Sequence, residues 1–124
     1  MSSPPPPPPV EPAPALTVLL LYTVTPAWLS LSREERRQVE QATLRPLLSR
    51  WAPGVRARLY DAEAFTARCS DFAVLEASDL LQFSFFYEAL RDTALFTVPY
   101  LVVNDLIVGL ENGFRHYERQ DGLE

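Results

Sequence analysis

Lysine is absent from this 124-residue chain, whose eleven cations are all arginine. Schiff-base, P-loop and amine-nucleophile chemistry are therefore excluded. Cysteine occurs once, at Cys69, which rules out an intramolecular disulfide and prevents one chain from assembling a cysteine zinc site. A reducing cytoplasm is the compartment this implies. Histidine also occurs once, at His116. A basic excess is missing: the net charge is −5, with no electrostatic footprint for DNA or RNA. Long apolar runs are missing too. The stretch from Leu16 to Val24 is far short of the roughly 20 residues that cross a bilayer, so no membrane partner is expected. Met-Ser-Ser followed by six prolines lacks the positive and apolar regions of a secretory signal. No carboxylate spacing matches a metal loop, so no metal is expected.

What is present fits one small domain. Residues 1–15 hold most of the twelve prolines and read as a disordered polyproline leader, each proline lacking the donor that a helix or sheet interior needs. The foldable region is 16–117, and 118–124 reads as a frayed tail. Residues 16–25 form a first strand with Val18, Leu20 and Tyr22 on one face and Thr17, Leu19, Leu21 and Thr23 on the other. Pro26 ends it, and Trp28, Leu29 and Leu31 make an apolar connection. Ser32 and Glu35 are spaced as a capping box for a helix starting at Arg33, with Leu44, Leu47, Leu48 and Trp51 as its buried stripe and a bend at Pro46. Pro53-Gly54 closes this helix.

Val55 to Tyr60 and Phe72 to Glu76 alternate as a second and a third strand, joined by residues 61–71 in a turn of unclear register. Ser78 or Asp79 caps a second helix with Phe83, Phe86, Leu90 and Ala94 facing inward, widened by Phe85 and Ala89. Residues 98–110 read as one final strand in preference to a hairpin at Asn104-Asp105, and a short helix follows. The order βαββαβ predicts an α+β, ferredoxin-like fold: a four-stranded antiparallel sheet with two helices on one face. Two helices cover only one face, and the first strand is apolar on both. Leaving ~400 Å² of apolar surface in water would forgo about 10 kcal/mol. A homodimer closed by sheet-on-sheet packing is therefore expected.

Four blocks carry a family resemblance: Thr25-Pro26-Ala27-Trp28-Leu29; Tyr60-Asp61-Ala62-Glu63 with Ala67-Arg68 and Asp71; Glu88 through Ala94; and Gly109-Leu110-Glu111-Asn112. With this spacing, residues 16–117 resemble the darcynins, small bacterial proteins without an established activity. The proline leader has no counterpart, and Val98-Pro99 replaces a more polar stretch. Darcynins in turn look like members of the dimeric α/β-barrel group, whose branches include cofactor-free monooxygenases, polyketide cyclases, haem enzymes and stress proteins. Such breadth does not select a reaction.

In this architecture a ligand cavity is expected between sheet and helices. Candidate catalytic groups are Tyr22, Arg58 (or Arg56), Glu88 and His116, and candidate binding groups are Trp28, Tyr60, Phe83, Phe86, Tyr87 and Tyr100. Each of the second helix's aromatics is equally a core residue. His116 suits a general acid or base, though its place among Arg115, Glu118 and Arg119 favours the surface, outside the cavity elements where a haem would need its axial ligand. Asp61, Glu63, Arg68 and Asp71 supply either paired carboxylates for acid–base steps or an ion-pair network. Cys69 reads as a small turn residue. The leading expectation is a cofactor-independent cyclase or isomerase acting on a hydrophobic, oxygenated, polyketide-like intermediate of bacterial secondary metabolism. The other is a non-catalytic ligand-binding or stress-response dimer.

Overall fold

Alternation along residues 16–24 puts Leu16, Val18 and Leu20 in the core and makes β1 (Leu16–Val24), the spine of the sheet in the computed structural model. The structure describes residues 3–6 and 15–120. The expected proline leader lies mostly outside them, as does the end of the expected tail. β1 is flanked antiparallel by β3 (Asp71–Ala77) and β4 (Leu101–Leu110), and β2 (Val55–Asp61) lies outside β3, giving the order β2-β3-β1-β4. This is the expected ferredoxin-like sheet.

The first helical region differs from its expectation. It is two helices, α2 (Arg33–Ala42) and α3 (Leu44–Trp51), parted at Thr43. Pro46 explains the position: its ring clashes with the carbonyl four residues back, that of Ala42, and it offers that oxygen no donor. The Ser32–Glu35 capping box forms in both directions, at 3.1 Å and 2.8 Å. Residues expected as a plain connection form α1 (Pro26–Leu29), capped by Thr25 with proline at its first position.

α4 (Leu80–Arg91) is capped by Asp79, whose Oδ1 accepts from Gln82 N at 2.7 Å. Phe83, Phe86 and Leu90 are its buried stripe, whereas Phe85 is exposed and Ala94 starts a separate turn, α5 (Ala94–Thr97). Residues 101–110 form one strand and not a hairpin. The extra residue at Asn104 is a bulge, where the β1–β4 register shifts between Leu21 and Tyr22. A last helix, α6 (Gly113–Gln120), runs past the expected boundary at 117.

The helices bury one face only. Val18, Leu20, Val55, Leu75 and Ala77 pack there against Phe83, Phe86 and Leu90. On the opposite face the register aligns Leu19 with Val74 and Ile107, and Leu21 with Phe72. Tyr60 stacks on Phe72 there at 4.8 Å between ring centres, and Ile107 is 50% exposed. No helix among the described residues is long and apolar enough to cross a membrane.

Candidate functional site

Between the helix-covered face and the helices lies a cavity of about 380 Å³, within the size range of small-molecule pockets. Strand register builds its floor row by row. Leu20, Ala73 and Leu59 align across β1, β3 and β2, next to a row holding Leu75 and Ala57. Alanine at 57 and 73, where the neighbouring rows carry leucine, leaves the space open. One step toward the sheet's end the row turns polar: Tyr22 pairs with Asp71, and Asp71 with Asp61. All three side chains line the cavity, and Glu40 reaches it from α2.

The polar row is held by the backbone around it. Ser70, buried just before β3, donates its N–H to Tyr22 O at 3.0 Å, while its hydroxyl accepts from Val24 N at 2.9 Å and its carbonyl from Ala62 N at 2.9 Å. The β4 bulge lies immediately beside Tyr22, and bulges next to active sites re-aim side chains. Burial, followed by the charges of Asp71, Glu40 and Asp61, raises the Tyr22 phenol well above the usual range. Tyr22 is therefore a neutral donor at physiological pH. Asp61 and Asp71 stand directly opposite each other on paired strands, an arrangement that costs stability.

Aromatic rings close the same end. Trp28, carried by α1, meets Tyr100 edge-on at 5.7 Å, and both line the cavity with Phe96. Thr25 fastens this corner: its N–H donates to Tyr100 O at 3.0 Å and its hydroxyl to Pro99 O at 2.8 Å. Arg36 donates to the carbonyls of Trp28 and Leu29, holding the end of α1.

The residues singled out in the sequence divide between this cavity and the rest of the molecule. Tyr22, Trp28, Tyr60 and Tyr100 border it, although the Tyr60 ring stacks on the opposite face. Phe83 and Phe86 fill the core, and Tyr87 stacks on Phe83 at 5.6 Å. Four of the catalytic candidates lie outside the cavity, His116 as its charged neighbours suggested. Arg56 and Arg58 alternate onto the open face and pair with Glu76 at 2.8 Å and 3.2 Å. Glu88 is exposed on α4, beside Arg91 at 3.4 Å. His116 sits on α6, outside the cavity lining. Of the two readings of the hairpin charges, the ion-pair network to the second helix does not form: among the described residues no ion pair joins Asp61, Glu63, Arg68 or Asp71 to one another or to Glu88, Arg91 or Asp92. What sequence reading undervalued was the registered Asp61–Asp71 pair. Its only signal was two acids flanking the loop of a hairpin whose register was unclear.

The darcynin profile, described as a domain of unknown function, matches residues 8–124. The chain belongs to the darcynin family. A darcynin homologue of Streptomyces avermitilis is 40% identical over 114 residues, covering 92% of this chain and 91% of the relative. A darcynin of Chromobacterium violaceum is 46% identical over 77 residues, which is 62% of this chain and 96% of that protein. Among solved structures, chlorite dismutase from Candidatus Nitrospira defluvii in complex with imidazole superposes with a TM-score of 0.69 at 16% identity. That match covers 82% of this chain but 42% of the other, so this chain spans less than half its length. The likeness establishes the ferredoxin-like fold. The described residues of the cavity lining offer a haem iron no histidine, cysteine or methionine.

Proposed function

We propose that the chain is a cofactor-independent enzyme of the isomerase or cyclase kind, which moves a proton on a hydrophobic small molecule held in the cavity. The observation that carries this reading is the row Tyr22, Asp71, Asp61 at one end of otherwise apolar walls. A carboxylate within reach of an activated carbon is the general base such chemistry needs, worth about 10²–10⁴ in rate. A neutral phenol beside it donates to the ligand's polar atom without itself losing a proton, in the manner of an apolar site that pairs an aspartate base with a tyrosine donor. Asp71 lies between the other two and is the proposed base, with Tyr22 as donor and Asp61 orienting the ligand's polar end. Trp28, Tyr100 and Phe96 exclude water.

In this reading the functional unit is a cytoplasmic homodimer. Leu19, Leu21, Phe72, Val74 and Ile107 support it, since together they form an apolar face that no helix or strand among the described residues covers. The test is to recover the small molecule that co-purifies with the full chain, then follow its carbon-bound hydrogens by NMR in D2O. Wild-type protein is expected to exchange one position, and Asp71→Asn to slow that exchange by about 10²-fold or more. A ligand that binds in the cavity yet exchanges no faster than in buffer would replace the enzyme with a non-catalytic binding protein.

A further inference from the structure

The cavity's charges are all of one sign. Glu40, Asp61 and Asp71 are the charged residues of its lining among the described residues, and no described arginine joins them. Four arginines on neighbouring elements are engaged, while Arg68, in the loop between Asp61 and Asp71, forms no ion pair among the described residues. Arg56 and Arg58 pair with Glu76 on the open face, Arg45 pairs with Glu40 at 2.9 Å, and Arg36 is bonded to the carbonyls at the end of α1. Asp61 and Asp71 have no ion-pair partner among the described residues, although the register sets them directly opposite each other. The same end is walled by the rings of Trp28, Tyr100, Phe96 and Tyr22. Aromatic faces beside carboxylates form a recognisable receptor for organic cations, since both the ring quadrupole and the acid attract positive charge.

Resting on the reading of this cavity as a small-molecule site, we infer that its ligand is a hydrophobic amine or a related organic cation. The charged nitrogen sits at Asp71 and Asp61 among the aromatic rings, and the apolar body lies over Leu20, Ala73 and Leu75. An anionic ligand would meet two acids, Asp61 and Asp71, that no cation neutralises among the described residues, while Glu40 is paired with Arg45. The polarity also suits the proposed proton transfer. Removing a proton from the carbon next to an iminium carbon breaks a C–H bond and sends its electron pair into a new C=C bond. The C=N⁺ bond becomes a neutral C–N bond, and the proton passes to the carboxylate. That step yields a neutral enamine, whose nitrogen can then accept from the Tyr22 hydroxyl.

Three probes with one carbon skeleton test this by calorimetry on the full chain: 4-phenylbutylamine, 4-phenylbutan-1-ol and 4-phenylbutyrate. The amine is expected to bind at least tenfold more tightly than the alcohol, and the carboxylate most weakly. In Asp61→Asn/Asp71→Asn the amine is expected to fall to the level of the alcohol while the alcohol itself changes little. Asp61→Asn alone, at an exposed position, provides the same comparison if the double variant loses its near-UV CD signal. Equal binding of amine and alcohol by the wild type would overturn the cationic ligand and leave the cavity reading in place. Failure of all three probes to bind, or binding that Ala73→Leu does not weaken, would overturn both.

Discussion

Two aspartates facing each other across paired strands are a stability defect, and removing one should reveal it. Asp61 and Asp71 are register partners at the end of the β2–β3 ladder. Directly opposed side chains have Cβ atoms about 5 Å apart. At that distance two unit charges repel by about 1 kcal/mol in a water-like dielectric. Asp61 is exposed and Asp71 half-buried, so the side chains splay and the net cost falls to about 0.5 kcal/mol. Asp71→Asn keeps the volume and removes the repulsion. Thermal and urea unfolding near neutral pH should show a gain of about 0.5 kcal/mol, or roughly 2–4 °C for a fold of this size. The gain should shrink in about 1 M salt, where the Debye length is about 3 Å. The same substitution is the one expected to slow proton exchange by about 10²-fold or more. A loss of more than about 1 kcal/mol would show that Asp71 serves the fold, and a gain indifferent to salt would show that charge repulsion is not the cause; either would refute the argument.

The cavity, the phenol and the open face each give a further test. Ala73→Leu should fill empty space at the floor, leaving melting temperature equal or higher while ligand affinity drops at least tenfold. Because the folded Tyr22 phenol titrates above its unfolded value of about 10, stability is fully present below that pH and falls as pH rises through the folded value. Urea unfolding from neutral pH upward should show a decline of up to about 1.4 kcal/mol per pH unit above pH 10, smaller in Tyr22→Phe. A remnant is expected from Tyr87, whose phenol burial also raises. Ile107→Asp on the open face should change protomer stability by less than about 0.5 kcal/mol yet convert a dimer to a monomer by light scattering. Ser32→Ala should cost about 1 kcal/mol in unfolding experiments by removing the α2 capping box.

Local signals carried most of the fold. The alternation in residues 16–24, the Ser32–Glu35 box and the Asp79 cap each act within a few residues, so β1, α2 and α4 were readable from the chain. Where Pro46 would break its helix was misjudged because the clash acts four residues upstream. The α1 turn was hidden by the shortness of its apolar run, though Thr25-Pro26 is a cap followed by an N1 proline. The site was less legible, since it depends on register between strands. Alternation alone assigned Arg56, Arg58 and Tyr60 to one face of β2 without saying which face met the helices. Val55, buried against the core, decides that the arginines point away. The Asp61–Asp71 pairing needed the hairpin's loop to be counted from a Ser70 anchor that no turn motif announces.

The most direct measurement is a crystal structure of the full chain with its co-purifying ligand, or with 4-phenylbutylamine, bound. Density is expected in the cavity between sheet and helices. The ligand's polar group should lie within about 3.5 Å of Asp71, Asp61 or the Tyr22 hydroxyl, and its apolar part should contact Ala73 and Leu75. A ligand bound only on the open face or along α6, with the cavity closed by a shifted Trp28 or Tyr100, would contradict the account.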